Sequence, residues 1–228
     1  MGVQFPLEAH WAYGSTAEYC IRIAGIRVQF SVGPPRNNSL RKLNAVGSFK
    51  TKIHYVSPMK DEMVDIVDEN NKTLYKTSKK EAHDKGLLHR CVISEIINLK
   101  DEWLLFVPSE HKQDKHQYVS PIGGHVQAGE SLEDALKREA FEEVGLEDYK
   151  FKFIGRGIYN RFVIGRRENH YFNLFEIYSD DKVVLSDETK DFKYFTKEEI
   201  KRLMKTDPKI FGGAFHFVYK NIYKKFKE

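Results

Sequence analysis

The sequence predicts a domain of the α/β class from about residue 59 to residue 228, preceded by an extension. Residues 88–98 and 103–107 are rich in β-branched and aromatic residues, as central strands are. Residues 132–144 instead repeat apolar residues at helical spacing. The apolar side of that helix suits packing on a sheet and consists of Leu132, Ala135, Leu136 and Ala140. We therefore expect helices layered against a sheet.

The composition is that of a folded protein with a substantial core. The chain has 228 residues, of which 41% are hydrophobic and 13% aromatic. The sequence contains no run of eighteen apolar residues, the length that a membrane-spanning helix needs, and its first residues lack the pattern of a signal peptide. Cys20 and Cys91 have no metal-ligand spacing, which fits a reducing compartment. We therefore expect a soluble, cytoplasmic protein without a membrane partner.

Residues 1–58 form the basic part of the chain. They contain seven lysines and arginines and two glutamates, whereas the rest of the chain is close to neutral. Ile21–Ile23 and Ile26–Val32 alternate like short strands, with a bulge or bend expected at Ala24 and Gly25. These pieces are too short for us to expect an independent fold. The extension either packs on the second domain or is poorly ordered, or it is a basic module for a nucleic-acid or other anionic partner, of which nucleic acid is the less expected. A third alternative is that Met59 or Met63 is the natural start and the upstream residues are dispensable.

The predicted elements up to residue 107 are a hairpin (63–67 and 73–76), a short helix (78–86) and the strands 88–98 and 103–107. Ser78 and Glu81 form a capping box that opens the short helix, which Gly86 ends. A polar loop, Pro108–Gln117, follows the second strand. Its Lys112 either faces water or meets substrate phosphates.

The stretch from Gly124 to Leu146 carries the predicted chemistry. Ser131 followed by Asp134 predicts an N-cap, and Gly145 predicts a left-handed C-cap, which gives a helix from Leu132 to Val144. At about 100° per residue, Glu142 and Glu143 fall roughly 60° and 40° either side of Glu139. Three carboxylates thus share one face.

Crowded like charges destabilise a helix, so a compensating cation is expected on this face. A hard cation such as Mg²⁺ binds a few carboxylates while water and phosphate oxygens take its other positions. A three-glutamate helix taken alone is equally compatible with a solvated, charged surface. The surrounding pattern is what favours the metal.

The whole stretch 124–146 matches the Nudix box, G-x5-E-x7-R-E-U-x-E-E-x-G-U with U a bulky aliphatic residue, at every fixed position, with the small Ala140 at the first U. The chain therefore resembles the Nudix superfamily. This resemblance implies an α/β/α sandwich around a mixed sheet, and a bound Mg²⁺ or Mn²⁺. The metal ligands that it implies are Glu139, Glu142, Glu143 and a backbone carbonyl at Gly123 or Gly124, while Glu130 and Arg138 pair to hold the loop on the helix.

The order of VDEN, EAH and GLLHR in residues 67–90 resembles the Nudix branch that includes isopentenyl diphosphate isomerase and hydrolase-like relatives. In the isomerases, histidines matching His83, His89 and His125 help to bind a metal. The gap between His83 and His89 is one residue shorter than that site would need, which argues against transferring His83. Gly123 stands where the isomerases place a catalytic cysteine. The missing cysteine and the complete box favour hydrolysis.

Several further residues are candidates for substrate contact. His125 lies beside the expected phosphate, whereas His89 is compatible with a buried, hydrogen-bonded histidine. Residues 151–159 and 170–178 read as strands joined by a loop, Asn160–Asn169, whose Arg161 and Arg166 either bind a diphosphate or lie on the surface. Glu188, in a loop at 186–191, resembles the late acidic residue that many Nudix enzymes use as a metal ligand or base. Helices are expected at 196–205 and 215–226.

The expected function is that of a metal-dependent Nudix pyrophosphohydrolase. Its catalytic residues would be Glu139, Glu142 and Glu143, and its partner a small molecule with a diphosphate bond, such as a nucleoside diphosphate linked to another group. Two alternatives are an isomerase-like enzyme of isopentenyl diphosphate and a non-catalytic module that binds a nucleotide metabolite. The sequence leaves the oligomeric state open, a homodimer included.

Overall fold

The computed structural model describes residues 62–163 and 165–223, together with the backbone of four strands among the first 60 residues. By its internal contacts the chain divides into two compact units, Met1–Lys60 and Asp61–Glu228. The side chains of residues 1–58 lie outside the described residues, so the alternatives for this extension stay predictions. Across the described part, no helix is both long enough and apolar enough to cross a membrane.

The first unit contains a four-stranded antiparallel sheet, with the strands in chain order. Its strands are β1 (Ala9–His10), β2 (Ala17–Ile23), β3 (Ile26–Val32) and β4 (Lys52–Ile53). Ile23 pairs with Ile26, so the two predicted strands form the arms of one hairpin.

The second unit alternates strands and helices. Its strands are β5 (Met63–Val67), β6 (Thr73–Ser78), β7 (His89–Ile97), β8 (Trp103–Pro108), β9 (Ile122–His125), β10 (Lys150–Val163), β11 (Arg166–Tyr178) and β12 (Thr189–Phe195). Its helices are α1 (Lys79–Lys85), α2 (Leu132–Val144), α3 (Lys197–Thr206) and α4 (Gly213–Phe217), with a 3₁₀ turn at Pro208–Ile210 and a π-helical turn at Val218–Ile222. The predicted bounds of α2 are confirmed.

Strand β7 is the axis of the eight-stranded sheet. On one side it pairs in parallel with β11, which in turn pairs antiparallel with β10. On its other side β7 meets β5, β9 and β8 in succession, each antiparallel. Strands β6 and β12 pair with β5 and β8. The sheet is therefore mixed, as the resemblance implied.

Alternate residues of the central strands pack in two different layers, because side chains of a strand point to opposite faces. Val92 and Ile96 of β7 belong to the core that contains α2. Cys91, Ile93 and Ile97 belong to the core that contains α3 and α4. A third, small cluster joins α1 to β5. The predicted α/β/α sandwich around a mixed sheet is confirmed.

The predicted loop at residues 160–169 was wrong, since most of these residues belong to strands. Strand β10 continues to Val163 and β11 begins at Arg166. Arg161 lies opposite Glu168 in the register, and its Nε donates to Glu168 Oε2 over 2.5 Å. This ion pair joins the two arms of the hairpin, and polarity along the sequence does not reveal it.

Two strands and the last helix also depart from the predictions. Strand β9 is absent from the predicted elements, because two of its four residues are glycine, which has a low strand propensity. Strand β12 overlaps the end of the predicted loop 186–191. The last α-helix is shorter than predicted, because it gives way to a π-helical turn at Val218. Phe226, the end of the predicted apolar stripe, lies outside the described residues.

Candidate active site

Helix α2 holds the three predicted carboxylates beside the end of β9. Ser131 Oγ accepts a hydrogen bond from the amide of Asp134, and Gly145 ends the helix with φ 72°. The helix turns its apolar residues into the core, while Glu139 lies buried at the edge of that core and Glu142 is exposed. Capping at both ends thus fixes the face on which the glutamates lie.

Arg138 clamps the loop before α2 onto the helix. Its Nε and Nη2 donate to the two carboxylate oxygens of Glu130, each over 2.9 Å. Nη2 also donates to the carbonyl of His125 over 2.9 Å, and Nη1 donates to Glu139 Oε1 over 2.6 Å. Glu130 in turn accepts the amide of Gln127 over 2.9 Å. One guanidinium therefore fixes the β9 end, the loop and Glu139 together.

The backbone at Gly124 runs against the carboxylate of Glu139. A Cβ built at Gly124 would lie 1.9 Å from Glu139 Cδ and from Oε1, too close unless that carboxylate shifts. At Gly123 an added Cβ would meet no described atom within 4 Å. A side chain at position 124 would therefore force the Glu139 carboxylate to move, since the Gly124 backbone lies close to it at the predicted metal site.

The carboxylates of this site repel one another. Burial raises the pKa of Glu139 to about 7, although Arg138 acts in the opposite direction. Burial also raises the pKa of Glu143 to about 7, and the charges of Glu188 and Glu139 add to the effect. Such a set of crowded oxygen donors is the kind that a hard divalent cation binds and compensates. The residues present therefore fit Mg²⁺ or Mn²⁺.

Glu188 reaches the site from the loop before β12. Its Oε1 pairs with Lys112 Nζ over 2.6 Å, and its carbonyl accepts the amide of Ser109 over 2.8 Å. Lys112 lowers, and Glu188 raises, the pKa of Glu143, so both charges act on α2. The loop after β8 thus brings a cation to the carboxylates.

Arg161 and Arg166 are held by an acidic partner. Arg161 donates to Glu168 and makes two hydrogen bonds to Asp114, over 2.9 and 3.2 Å. Arg166 donates to Glu168 Oε1 over 2.7 Å. Burial would raise the pKa of Glu168, but hydrogen bonds from Arg161, Gln113 and Arg166 lower it to about 2. Both arginines are occupied in a network that anchors the loop after β8 to the β10–β11 hairpin.

Four histidines meet beside this network. His83 of α1, His89 of β7, His125 of β9 and His170 of β11 bring one ring nitrogen each to within 4.8 Å of one another. His83, which the spacing argued against, approaches His125 with 3.0 Å between their Nε2 atoms. Sequence reasoning missed His170, because its position follows from the register that places it opposite His89. Burial lowers the pKa of His89 to about 4 and that of His170 to about 3, so both rings are neutral near pH 7.

Comparison with protein families decides the identity of the fold. The model of the NUDIX domain matches residues 87–211, which is more than half of the chain and includes the whole box. The chain belongs to the Nudix family.

Nudix relatives of two kinds are similar to this chain. A protein of Streptomyces coelicolor named as an uncharacterised Nudix hydrolase is 37% identical over 105 residues, 41% of this chain and 55% of that protein. A second such hydrolase, from Clostridium acetobutylicum, is 31% identical over 127 residues, 54% of this chain and 61% of that protein. An isopentenyl-diphosphate Delta-isomerase of Pectobacterium atrosepticum is 28% identical over 161 residues, 69% of this chain and 89% of that protein.

A solved structure has a similar fold. A crystal structure from Deinococcus radiodurans superposes with a TM-score of 0.58 at 17% identity, and it covers 72% of this chain and all of that one. The resemblance that the box and the EAH and GLLHR segments predicted, to Nudix hydrolases and Nudix-type isomerases together, is confirmed.

Proposed function

We propose that this Nudix protein is a divalent metal-dependent pyrophosphohydrolase that cleaves the diphosphate of a nucleoside diphosphate-linked or related metabolite. The observation that supports it most is the cluster of crowded carboxylates on α2, where burial raises the pKa of Glu139 and of Glu143 and Arg138 holds Glu139 in place. A complete box on a family domain adds to this. Given the cysteine usage, we place the reaction in the cytoplasm.

The proposed ligands are Glu139, Glu142, Glu143 and the backbone at Gly124. When bound, Mg²⁺ or Mn²⁺ neutralises the diphosphate, orients the attacking water and stabilises the oxygen that leaves phosphorus. The clamp of Arg138 on Glu139 fixes one carboxylate in advance, which avoids reorganising it during the reaction.

A carboxylate with an oxygen that is not bound to metal would accept the proton of the attacking water. Glu142, Glu143 and Glu188 are the three candidates, and each would take the proton of the attacking water at a carboxylate oxygen. Lys112 pairs with Glu188 in this structure, and its ammonium group would bind a substrate phosphate if that pair opened.

The test is a substrate panel of nucleoside diphosphate derivatives, dinucleotides and prenyl diphosphates, assayed with Mg²⁺ for phosphate-containing products. The double substitution Glu142→Gln with Glu143→Gln should lower kcat by roughly 10³-fold while the circular dichroism spectrum stays unchanged. Glu133→Gln, on the exposed first turn of the same helix, is the matched control. Undiminished turnover in the double variant would exclude the assignment. Substrate-dependent thermal shifts without any turnover would instead indicate a binding module.

A second candidate is isomerisation of isopentenyl diphosphate. The observation that favours it is that His83, His89 and His125, which resemble the isomerase ligands, lie together. Gly123 in place of the cysteine opposes it. Proton NMR of the two five-carbon diphosphates distinguishes the candidates, since isomerisation interconverts them without releasing phosphate.

A further inference from the structure

The chain enters strand β9 by a step of two residues from the edge of β8 to the edge of β7. Val119 forms a bridge with Phe106 of β8, and the two backbones exchange hydrogen bonds of 2.8 and 3.0 Å. Ile122 already lies in the ladder with β7. Ser120 and Pro121, between them, belong to neither ladder, and a proline has no amide to donate. The position of β9 therefore depends on what holds this step.

The side chain of Glu95 holds the step. The Ser120 hydroxyl donates to Glu95 Oε1 over 2.7 Å. Glu95 follows Ser94, the residue of β7 that lies opposite Ile122 in the ladder. The hydrogen bond thus fastens the chain beside the first residue pair that β9 makes with β7.

Glu95 occupies a position of β7 at which a carboxylate is costly. It is fully buried, and it faces the same side of the strand as Cys91, Ile93 and Ile97, which belong to the apolar core with α3 and α4. Glu176, also buried, lies opposite it in the β7–β11 register. Burial of one carboxylate costs free energy, and a second one nearby adds repulsion. An apolar side chain would suit this core, but it could not accept the Ser120 hydroxyl.

The other end of β9 is held by Arg138. Its Nη2 donates to the carbonyl of His125 over 2.9 Å. Between the two anchors, β9 consists of four residues, and two of them, Gly123 and Gly124, have a low strand propensity. The anchors at Ser120 and His125 therefore limit how far the two glycines can move.

We propose that Glu95 is a positioning residue of the active site, which holds the backbone of Gly123 and Gly124 against Glu139 through its hydrogen bond to Ser120. This inference rests on the proposed function, in which the backbone at Gly124 is a metal ligand. Gly124 lies so close to the Glu139 carboxylate that a shift of β9 changes their contact. Groups that orient a metal ligand without binding the metal are worth about 10- to 100-fold in metal affinity or activity.

Hydrogen exchange tests the anchor in the full chain without metal. Ser120→Ala removes the hydroxyl with little change in volume, and the amides of Ile122–His125 should then exchange about tenfold faster. The amides of β10, two strands away from β9, should keep their wild-type rates. Ser120→Thr keeps a hydroxyl and should restore slow exchange. Ser179→Ala is the control, because it loses a hydrogen bond from the amide of Asp181 beyond the end of β11.

Binding of Mn²⁺, followed by the electron paramagnetic resonance of the free ion, tests what the anchor does for the site. Ser120→Ala and Glu95→Leu should each weaken Mn²⁺ binding by about tenfold. Ser120→Thr and Glu95→Gln, which keep the donor and an acceptor oxygen, should stay within about threefold of the wild type. If Glu95→Leu does not fold, the two Ser120 variants decide.

Two results separate the failure of this inference from the failure of the proposed function. Wild-type exchange of β9 and wild-type Mn²⁺ affinity in Ser120→Ala would overturn the role of Glu95, while hydrolysis by the wild type would leave the proposed function intact. A wild type that neither binds Mn²⁺ nor hydrolyses any substrate would contradict the proposed function, and with it the metal role of the anchor. The β9 exchange rates distinguish that case, because they would still rise in Ser120→Ala.

Discussion

At the scale of single residues, the candidate site depends on the close approach of the Gly124 backbone to the Glu139 carboxylate. The box spacing predicts which carboxylates share a face, because helical geometry fixes the angles between them. It does not predict that Glu139 is buried or that Gly124 touches it, since these depend on the loop that Arg138 holds. His170 shows the same limit, because a residue's neighbours across a sheet follow from register and not from local sequence.

Gly124→Ala should damage the site directly. Its Cβ would collide with the Glu139 carboxylate, so that this proposed metal ligand must move. A displacement of about 1 Å at a reacting centre can cost about 100-fold in rate, and we expect a loss of kcat of that order. Steady-state kinetics at saturating Mg²⁺ measure it.

Gly123→Ala is the control for this substitution, because its Cβ meets no described atom within 4 Å. It should keep kcat within about threefold of the wild type. If the two alanine variants had the same kcat, the steric account of Gly124 would be wrong.

At the scale of elements, the capped helix and its clamp hold the site in place. The bounds of α2 could be predicted because Ser131 and Gly145 are local signals. The extension of strands β10 and β11 into residues 160–163 and 166–169 could not be predicted, because these ends are largely polar and their pairing is stabilised by Arg161 and Glu168 across the strands. Local caps are written in the sequence, whereas cross-strand ion pairs need the register.

Ser131→Ala should lower the free energy of unfolding by about 1 kcal/mol, because it removes the N-cap bond to Asp134. Ser131→Thr keeps a hydroxyl that can accept from the Asp134 amide and donate to the Asp134 carboxylate, and it should retain most of the stability. Urea denaturation of the three proteins measures the difference. Equal losses in both variants would show that capping is not the cause.

Arg138→Lys should be poorly tolerated. An ammonium group cannot make the two parallel bonds to Glu130 while also binding His125 O and Glu139. We expect a loss of about 3 kcal/mol in unfolding free energy, as when a largely buried ion pair loses its geometry. Lys137→Ala, exposed and adjacent on α2, provides the comparison in the same urea series. A loss no larger than that of Lys137→Ala would contradict the clamp.

At the scale of the whole molecule, the candidate site belongs to the second unit. The apolar clusters on both faces of the eight-stranded sheet, the proposed carboxylate site and the cluster of four histidines all lie between residues 61 and 228. We propose residues 59–228 as an independently folding Nudix domain, with residues 1–58 as an accessory extension. Short alternating stretches in the extension indicated strands, but its role depends on side chains that lie outside the described residues.

The fragment 59–228 should therefore fold and hydrolyse substrate without the extension. We expect cooperative thermal unfolding and a kcat within about threefold of the full chain, because no proposed ligand is removed. Differential scanning fluorimetry and steady-state assays of the two proteins measure this. A fragment that fails to unfold cooperatively would show that the first unit is needed for the fold.

Hydrolysis of a diphosphate bond by water is the central claim, and isotope transfer tests it most directly. The substrate of the panel that is hydrolysed fastest is incubated with the protein and Mg²⁺ in ¹⁸O-labelled water. Mass spectrometry then measures the masses of the products. Each turnover should place one ¹⁸O atom in one of the two phosphate products, and Glu142→Gln with Glu143→Gln should slow formation of the labelled product by the same roughly 10³-fold. Conversion of substrate without ¹⁸O in either phosphate product would contradict the account.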